Sequence, residues 1–295
     1  MTETSEQSVR PRVLVGVDGS EDGLRATSHG AGRALRKGDD LWIVHALDDG
    51  VVAGGWGVIY DPTTLEEAGR ATIAQAVETA VARGLPRERI HTDILVGHPA
   101  VILEELSQSA DVVVVGRRAA TGLERMFVGS TSTSLAATAA CPLIVISSAS
   151  NPGPTTTRRR IAVAVGSGRT EKTLRWACEE AVSRKARLDV VHVIQPQAST
   201  ALALVSPPSQ LEATWQSRMQ GGLERRVTPL RKEFPGLVIE VHAIIGNPLD
   251  QLIAWTAKVD LLVLSVRPRP ILGVAVGGPI RGALAHAMSP VALVR

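Results

Sequence analysis

Short, unbroken runs of aliphatic residues recur along this chain and alternate with longer segments in which apolar positions return every three or four residues. The runs Val13–Val17, Leu41–Ala46, Val112–Val115 and Leu143–Ile146 have the length and apolar content of buried strands, and the more polar Ile90–Val96 (IHTDILV) has the length of a fifth strand. Between them, the segments Glu21–Arg36, Thr64–Arg83, Ala100–Ser109 and Ser130–Ala139 carry helical spacing. This alternation predicts an α/β fold, an open parallel sheet with helices on both faces. Right-handed crossovers make the sheet doubly wound, in strand order 3-2-1-4-5, with a ligand crevice at the carboxyl ends of the strands where the winding reverses.

The pattern then repeats. Arg12–Ser20 (RVLVGVDGS) parallels Arg160–Gly168 (RIAVAVGSG), LWIVHA at Leu41 parallels LDVVHV at Leu188, and Gly97-His98-Pro99 parallels Gly246-Asn247-Pro248. Further on, DVVVVG at Asp111 matches DLLVLS at Asp260, and CPLIVI at Cys141 matches SPVALV at Ser289, all at separations of 147 to 149 residues. The expected organisation is therefore two tandem five-stranded domains, residues 11–147 and 160–295. A disordered tail (1–10) and a Ser/Thr/Pro-rich linker (148–159) complete it.

Composition refines this picture. Apolar residues make up 44% of the 295 residues but aromatic ones only 3%, so the cores must be aliphatic. A formal charge of +3 gives no case for nucleic acid, and Arg158–Arg160 reads as a solvated strand entry. Two cysteines cannot make a disulfide framework: Cys178 falls on an apolar helix face and Cys141 precedes a strand, so both read as packing residues. With no signal-like apolar segment and no membrane-length apolar run, the expected compartment is the cytoplasm and no membrane partner is expected.

The chemistry concentrates in the loop Gly116–Ser130 (GRRAATGLERMFVGS), between the fourth strand and a helix start. Asp18 ends the first strand and Gly116 the fourth, so both face the reversal point. Gly129-Ser130-Thr131 opens the next helix, where unpaired N–H groups and the positive end of the helix dipole suit phosphate oxygens. Ser130 fits the cap position, the glycines allow close backbone approach, and Arg117, Arg118 and Arg125 add positive charge. Gly116 and Gly129 read equally as turn glycines, and Asp18-Gly19-Ser20 reads equally as a turn and cap or as part of a ligand site. No GxxxxGK[ST] phosphate loop is present.

Together, Gly116-x2-Ala119-x9-Gly129-Ser130, Asp18 and the VGHP turn at Gly97 resemble the universal stress protein family, whose ATP-binding members carry G-x2-G-x9-G-[S/T]. The resemblance covers nearly the whole chain as two tandem domains. It implies that Asp18, with Gly19 and Ser20 beside it, contacts adenosine, that Ala46 lies near adenine and that Gly97 lines the pocket. It also implies that Gly116, Gly129, Ser130 and Thr131 surround the phosphates; Ala119 at the second motif position and Arg117 and Arg118, for their charge, are counted with them among the nucleotide-binding residues. The implied ligand is ATP or another adenine nucleotide, with or without Mg²⁺. Ala119 replaces the second motif glycine, and costs about 1 kcal/mol or more if that position needs a positive φ.

In the second half, Gly166 replaces Asp18. Ser265, Pro268 and Pro279 replace Gly116, Ala119 and Ser130, with only the last motif glycine retained, as Gly278 in place of Gly129. Proline removes an N–H donor, so nucleotide binding is expected in the first half alone. His45 and His192 read as core residues, His91 and His98 lack zinc spacing, and His98 is near enough in sequence to Gly97 to approach a ligand. Trp176, Trp215 and Trp255 read as packing or interface residues, and Asp48–Pro62 and Gln195–Ser209 as lids or plain loops.

The expected function is an ATP-binding regulatory protein of the stress response, not an enzyme. The alternatives are a scaffold that has lost nucleotide binding and a slow ATPase. The short aliphatic final strands of both halves invite pairing within the chain, and a homodimer is also expected.

Overall fold

The computed structural model describes residues 12–48, 62–117, 129–147, 149, 158–166, 168, 170–195, 208–266 and 277–295. The expected tail, most of the linker and most of both expected lids lie outside these residues. In the first half, the elements are β1 (Arg12–Val17), α1 (Glu21–Lys37), β2 (Asp40–Leu47), α2 (Pro62–Ala82) and β3 (Ile90–Val96). They are followed by α3 (Pro99–Leu106), β4 (Val112–Gly116), α4 (Ser130–Thr138) and β5 (Leu143–Ile146). The second half supplies β6 (Arg160–Ala164), α5 (Glu171–Ser183), β7 (Arg187–Ile194), α6 (Pro208–Glu233) and β8 (Ile239–Ile245). It ends with α7 (Pro248–Thr256), β9 (Leu261–Ser265), α8 (Gly278–His286) and β10 (Val291–Val294).

The chain divides into two compact units: residues up to Gly116 with Ala139–Cys141, and Arg117–Thr138 with Pro142–Arg295. In the first unit the strands run parallel in the order β3-β2-β1-β4. The second unit contains β8-β7-β6-β9-β10, again parallel, which is the complete 3-2-1-4-5 order of a doubly wound sheet. There β5 adds to β10 in antiparallel register, with Val145 opposite Val291 and Leu143 opposite Leu293. The fold is α/β, mostly parallel, with helices on both faces.

Apart from Glu180, the largest fully buried side chains are aliphatic, among them Leu14, Leu41, Ile43, Ile144, Ile161, Leu188 and Leu261. Each such burial contributes about 1.5–3 kcal/mol. Burial pushes the Cys178 thiol pKa up to about 12 and that of Cys141 up to about 11, in keeping with packing roles for both.

The two halves also repeat their polar fastenings. Asp111 Oδ2 accepts the Arg12 N–H at 2.8 Å, and the Asp260 carboxylate accepts the Arg158 and Arg160 N–H groups at 2.9 and 3.1 Å. The Ser107 hydroxyl accepts the Ala140 N–H at 2.8 Å, as the Thr256 hydroxyl accepts that of Met288 at 3.0 Å. These bonds satisfy backbone donors at strand entries, where no ladder partner exists.

Candidate functional site

In a parallel sheet every strand ends at the same edge, so in the first unit Asp18, Ala46, Gly97 and Gly116 come to one rim by topology alone. Asp18 and Gly19 are exposed, and Gly19 has φ +79°. Asp18 Oδ1 accepts the Ser20 N–H at 3.0 Å and its hydroxyl at 2.5 Å, while Ser20 Oγ accepts the Gly23 N–H at 3.1 Å and caps α1. The turn-and-cap geometry is thus present, and it holds the Asp18 carboxylate at the strand end.

Beside it, Ala46 pairs with Leu95, and the Gly97 N–H donates to the Leu47 carbonyl at 2.9 Å with φ +140°, a backbone state that favours glycine. His98 is occupied locally: its Nδ1 accepts the Ala100 N–H at 3.3 Å and caps α3, as Asn247 caps α7. His45 Nδ1 lies 2.8 Å from the Val17 carbonyl, and His192 Nδ1 lies 2.7 Å from that of Val165. A carbonyl can only accept, so the ring nitrogen carries the proton in both, and the histidines tie the end of each first strand to the second.

Gly116 serves packing. A Cβ there would stand 2.6 Å from the Asp22 carbonyl carbon and 2.8 Å from the Gly23 nitrogen, so only glycine lets β4 lie against the first turn of α1. In the second half Ser265 takes this place. There α5 begins from Thr170, which has φ −137° and makes no side-chain cap bond, where α1 has a bonded Ser20.

The remaining candidates belong to the second unit. Arg117 is buried, and its guanidinium donates to the carbonyls of Leu284, at 3.2 Å, and Ala285, near the C-terminal end of α8. That is a favourable place for a cation, because the helix dipole is negative there. Arg295 makes the matching bond to the Ala136 carbonyl of α4 at 2.9 Å. Arg118, Ala119 and Arg125 lie outside the described residues.

At the start of α4, the Gly129 carbonyl accepts the Thr133 N–H at 3.0 Å and the Ser132 hydroxyl at 3.1 Å. Gly129 is therefore the cap, with Ser130, exposed, as the first helical residue and Thr131 as the second. This corrects the expected cap role of Ser130, and it corrects the alignment of the halves as well. The equivalent bond in α8 runs from the Arg281 N–H to the Gly277 carbonyl at 3.1 Å, so Gly277 matches Gly129, Gly278 matches Ser130 and Pro279 matches Thr131. The hydroxyl and the proline act at successive positions, not at one.

One element was missed in the sequence. From α6, Arg226 donates to the Gly166 carbonyl at 3.1 Å and to the Gly168 carbonyl, in the loop that corresponds to Asp18-Gly19-Ser20. Superposing the buried stripes of α2 (Ile73, Val77, Ala80) and α6 (Leu223, Val227, Leu230) puts Ala76 at its place in the first half. No motif marks Arg226 in the sequence.

Among the described residues, Asp189, Glu240 and His242 offer ligand atoms within 4.8 Å of one another. Asp189 is spent on Arg160, however, with bonds of 2.5 and 2.8 Å, and on His242 at 2.7 Å. The group also sits at the strand entries, opposite the crevice. Burial alone would raise the Asp189 pKa; the bonds from Arg160 and His242 overcome that and bring it down to about 2.

Residues 10–147 and 157–295 each match the model of the universal stress protein family. Universal stress protein Rv2005c of Mycobacterium tuberculosis is 28% identical over 282 residues, covering 93% of this chain and 93% of that protein. Universal stress protein Rv3134c of the same organism is 31% identical over 251 residues, covering 83% and 84%. A universal stress protein structure from Archaeoglobus fulgidus shares the fold, with a TM-score of 0.67 at 14% identity and coverage of 96% of both chains. No described helix is long and apolar enough to cross a membrane. The chain belongs to the universal stress protein family, as a tandem member with a matching domain in each half.

Proposed function

We propose that this protein binds an adenine nucleotide, ATP foremost, in its first half and uses occupancy to regulate partners in a stress response. Asp18, with Gly19 and Ser20 beside it, takes the adenosine, Ala46 lies near adenine, Gly97 lines the pocket, and Gly116 joins the residues around the phosphates. Gly129, Ser130 and Thr131 hold phosphates on the N–H groups of α4, with Arg118 and Ala119 from the intervening loop and Mg²⁺ as an optional companion. The observation that carries this reading is the contrast between the loops after β1 and β6. The first presents an exposed carboxylate, whereas the second lacks it and has its carbonyls bonded by Arg226.

The domain limits 11–147 and 160–295, association of the halves through β5 and β10, and a cytoplasmic location belong to the same proposal. The antiparallel Val145 and Val291 register supports the association. No catalytic step is included. Calorimetric titration of the full chain with ATP tests it: one site per chain, weakened by Asp18→Ala, is expected, and two equivalent sites or none would overturn it. Phosphate release during the same incubation separates binding from slow hydrolysis.

One observation favours a second reading, a scaffold without nucleotide. Arg117, expected among the phosphates, is committed to the end of α8. Absence of any ATP heat would select that reading.

A further inference from the structure

The outer strands β3 and β8 occupy equivalent places but differ in how their free edges are treated. The Gly97 N–H bonds to β2 and the Gly246 N–H to β7, so along each strand the alternate residues, Ile90, Thr92 and Ile94 or Ile239, Val241 and Ala243, point their backbone groups outward. In β8 these groups are covered. Gln216 Nε2 donates to the Ala243 carbonyl at 2.8 Å, Gln220 bonds both the Val241 carbonyl and the Ala243 N–H, and Arg231 donates to the Ile239 carbonyl at 2.9 Å. A strand edge masked in this way cannot recruit another chain.

In β3 no side chain among the described residues bonds the outward groups of Thr92 or Ile94. The aligned buried stripes place Glu66 and Arg70 of α2 where α6 has Gln216 and Gln220, and these two pair with each other at 2.9 Å instead of reaching the strand. A groove of about 480 Å³ remains between α2 and β3, lined by Arg70, Ile73, Val77, Thr92 and Ile94. His91, Thr92 and Asp93 are exposed on this strand, whereas β8 buries alternate residues.

We infer that the free edge of β3 is a docking surface for a second copy of this chain, joined by antiparallel strand addition about Thr92. The register is self-complementary, as a twofold contact requires. The Thr92 N–H and carbonyl meet those of the partner's Thr92, and the Ile94 N–H meets the carbonyl of the partner's Ile90. On the other face His91 stands opposite the partner's Asp93, an opposite-charge cross-strand pair when the imidazole is protonated. The groove beside Thr92 and Ile94 leaves room for the incoming strand, and β5 with β10 shows that these sheets accept antiparallel addition at an edge.

Sedimentation velocity of the full chain across a concentration series tests the inference. Expected is a dimer that Thr92→Pro, which removes an outward N–H without touching the bonds to β2, weakens by about tenfold or more. His91→Asp places like charges opposite each other and weakens it too, and adding Asp93→His to that variant restores pairing by exchanging the two positions. Hydrogen exchange reads the same contact directly, as protection of the Thr92 amide that grows with concentration. A chain that stays monomeric throughout, or a dimer indifferent to Thr92→Pro and His91→Asp, overturns the inference.

Discussion

Gly116 and Asp22 meet backbone to backbone, so closely that a Cβ on Gly116 would stand 2.6 Å from the Asp22 carbonyl carbon. The first motif glycine thereby fixes how α1 leaves β1, and the loop carrying Asp18 depends on it. Gly116→Ser, the residue found at Ser265 in the other half, is expected to destabilise the protein by about 1–3 kcal/mol through overpacking. Thermal unfolding measures this. The reverse change, Ser265→Gly, relieves no clash and should leave the melting temperature nearly unchanged.

Thr131→Pro copies Pro279 into the first half. Proline is tolerated in the first turn of a helix, so the melting temperature without nucleotide should hold. Loss of the N–H proposed to face a phosphate should weaken ATP binding by about tenfold to a hundredfold, read by calorimetry. Pro279→Thr is expected to create no second site, because Gly166 and Ser265 remain.

Arg226→Ala removes the guanidinium that holds the Gly166 and Gly168 carbonyls. These bonds are partly exposed, so a loss of about 1 kcal/mol is expected, with faster amide exchange at the loop after β6. A gain of ATP affinity in the second half would show instead that Arg226 alone closes that site.

Asp189 is fully buried and its pKa is held at about 2, below its usual 3.8. A depressed carboxylate pKa adds stability that is complete above the unfolded value and is lost as the pH falls toward the folded value. The contribution, about 2 kcal/mol, should therefore disappear between roughly pH 4 and pH 2. Denaturant unfolding across that range should show the decline in the native chain, and Asp189→Asn should flatten it.

Neither thiol should be reactive in the folded state, because burial holds the pKa of Cys141 near 11 and that of Cys178 near 12. Labelling with a chromogenic disulfide reagent should be slow in buffer and rapid once the chain is unfolded. Fast labelling of Cys178 in buffer would show that α5 opens readily.

Much of the fold was legible in the residues. The runs around Val13, Leu41, Val112 and Leu143 are strands because unbroken β-branched stretches bury both faces, and the repeat of five markers shows the duplication. The site was legible only in part. Asp18, Ala46, Gly97 and Gly116 are strand-end residues, and parallel topology brings them to one rim whatever their side chains do. The cap was misplaced by one residue, since Gly129 and Ser130 both suit it and only the bond from Thr133 to the Gly129 carbonyl decides. The direction of Arg117, expected among the phosphates, was not legible, because charge in a glycine loop carries no sign of where it points. Its partners, Leu284 and Ala285, lie far along the chain.

The sequence by itself determined the local and the periodic: which runs form strands, where the halves repeat, and which positions in the second half lost a carboxylate or gained a proline. Tertiary structure decided whatever depends on direction across large sequence separations. It turned Gly116 toward Asp22, drew Arg117 to α8 and Arg226 to the loop after β6, and covered β8 with side chains of α6 while, among the described residues, no side chain bonds the outward groups of Thr92 and Ile94 in β3. Such contacts follow from helix rotation and side-chain reach, and neither leaves a period or a motif in the chain.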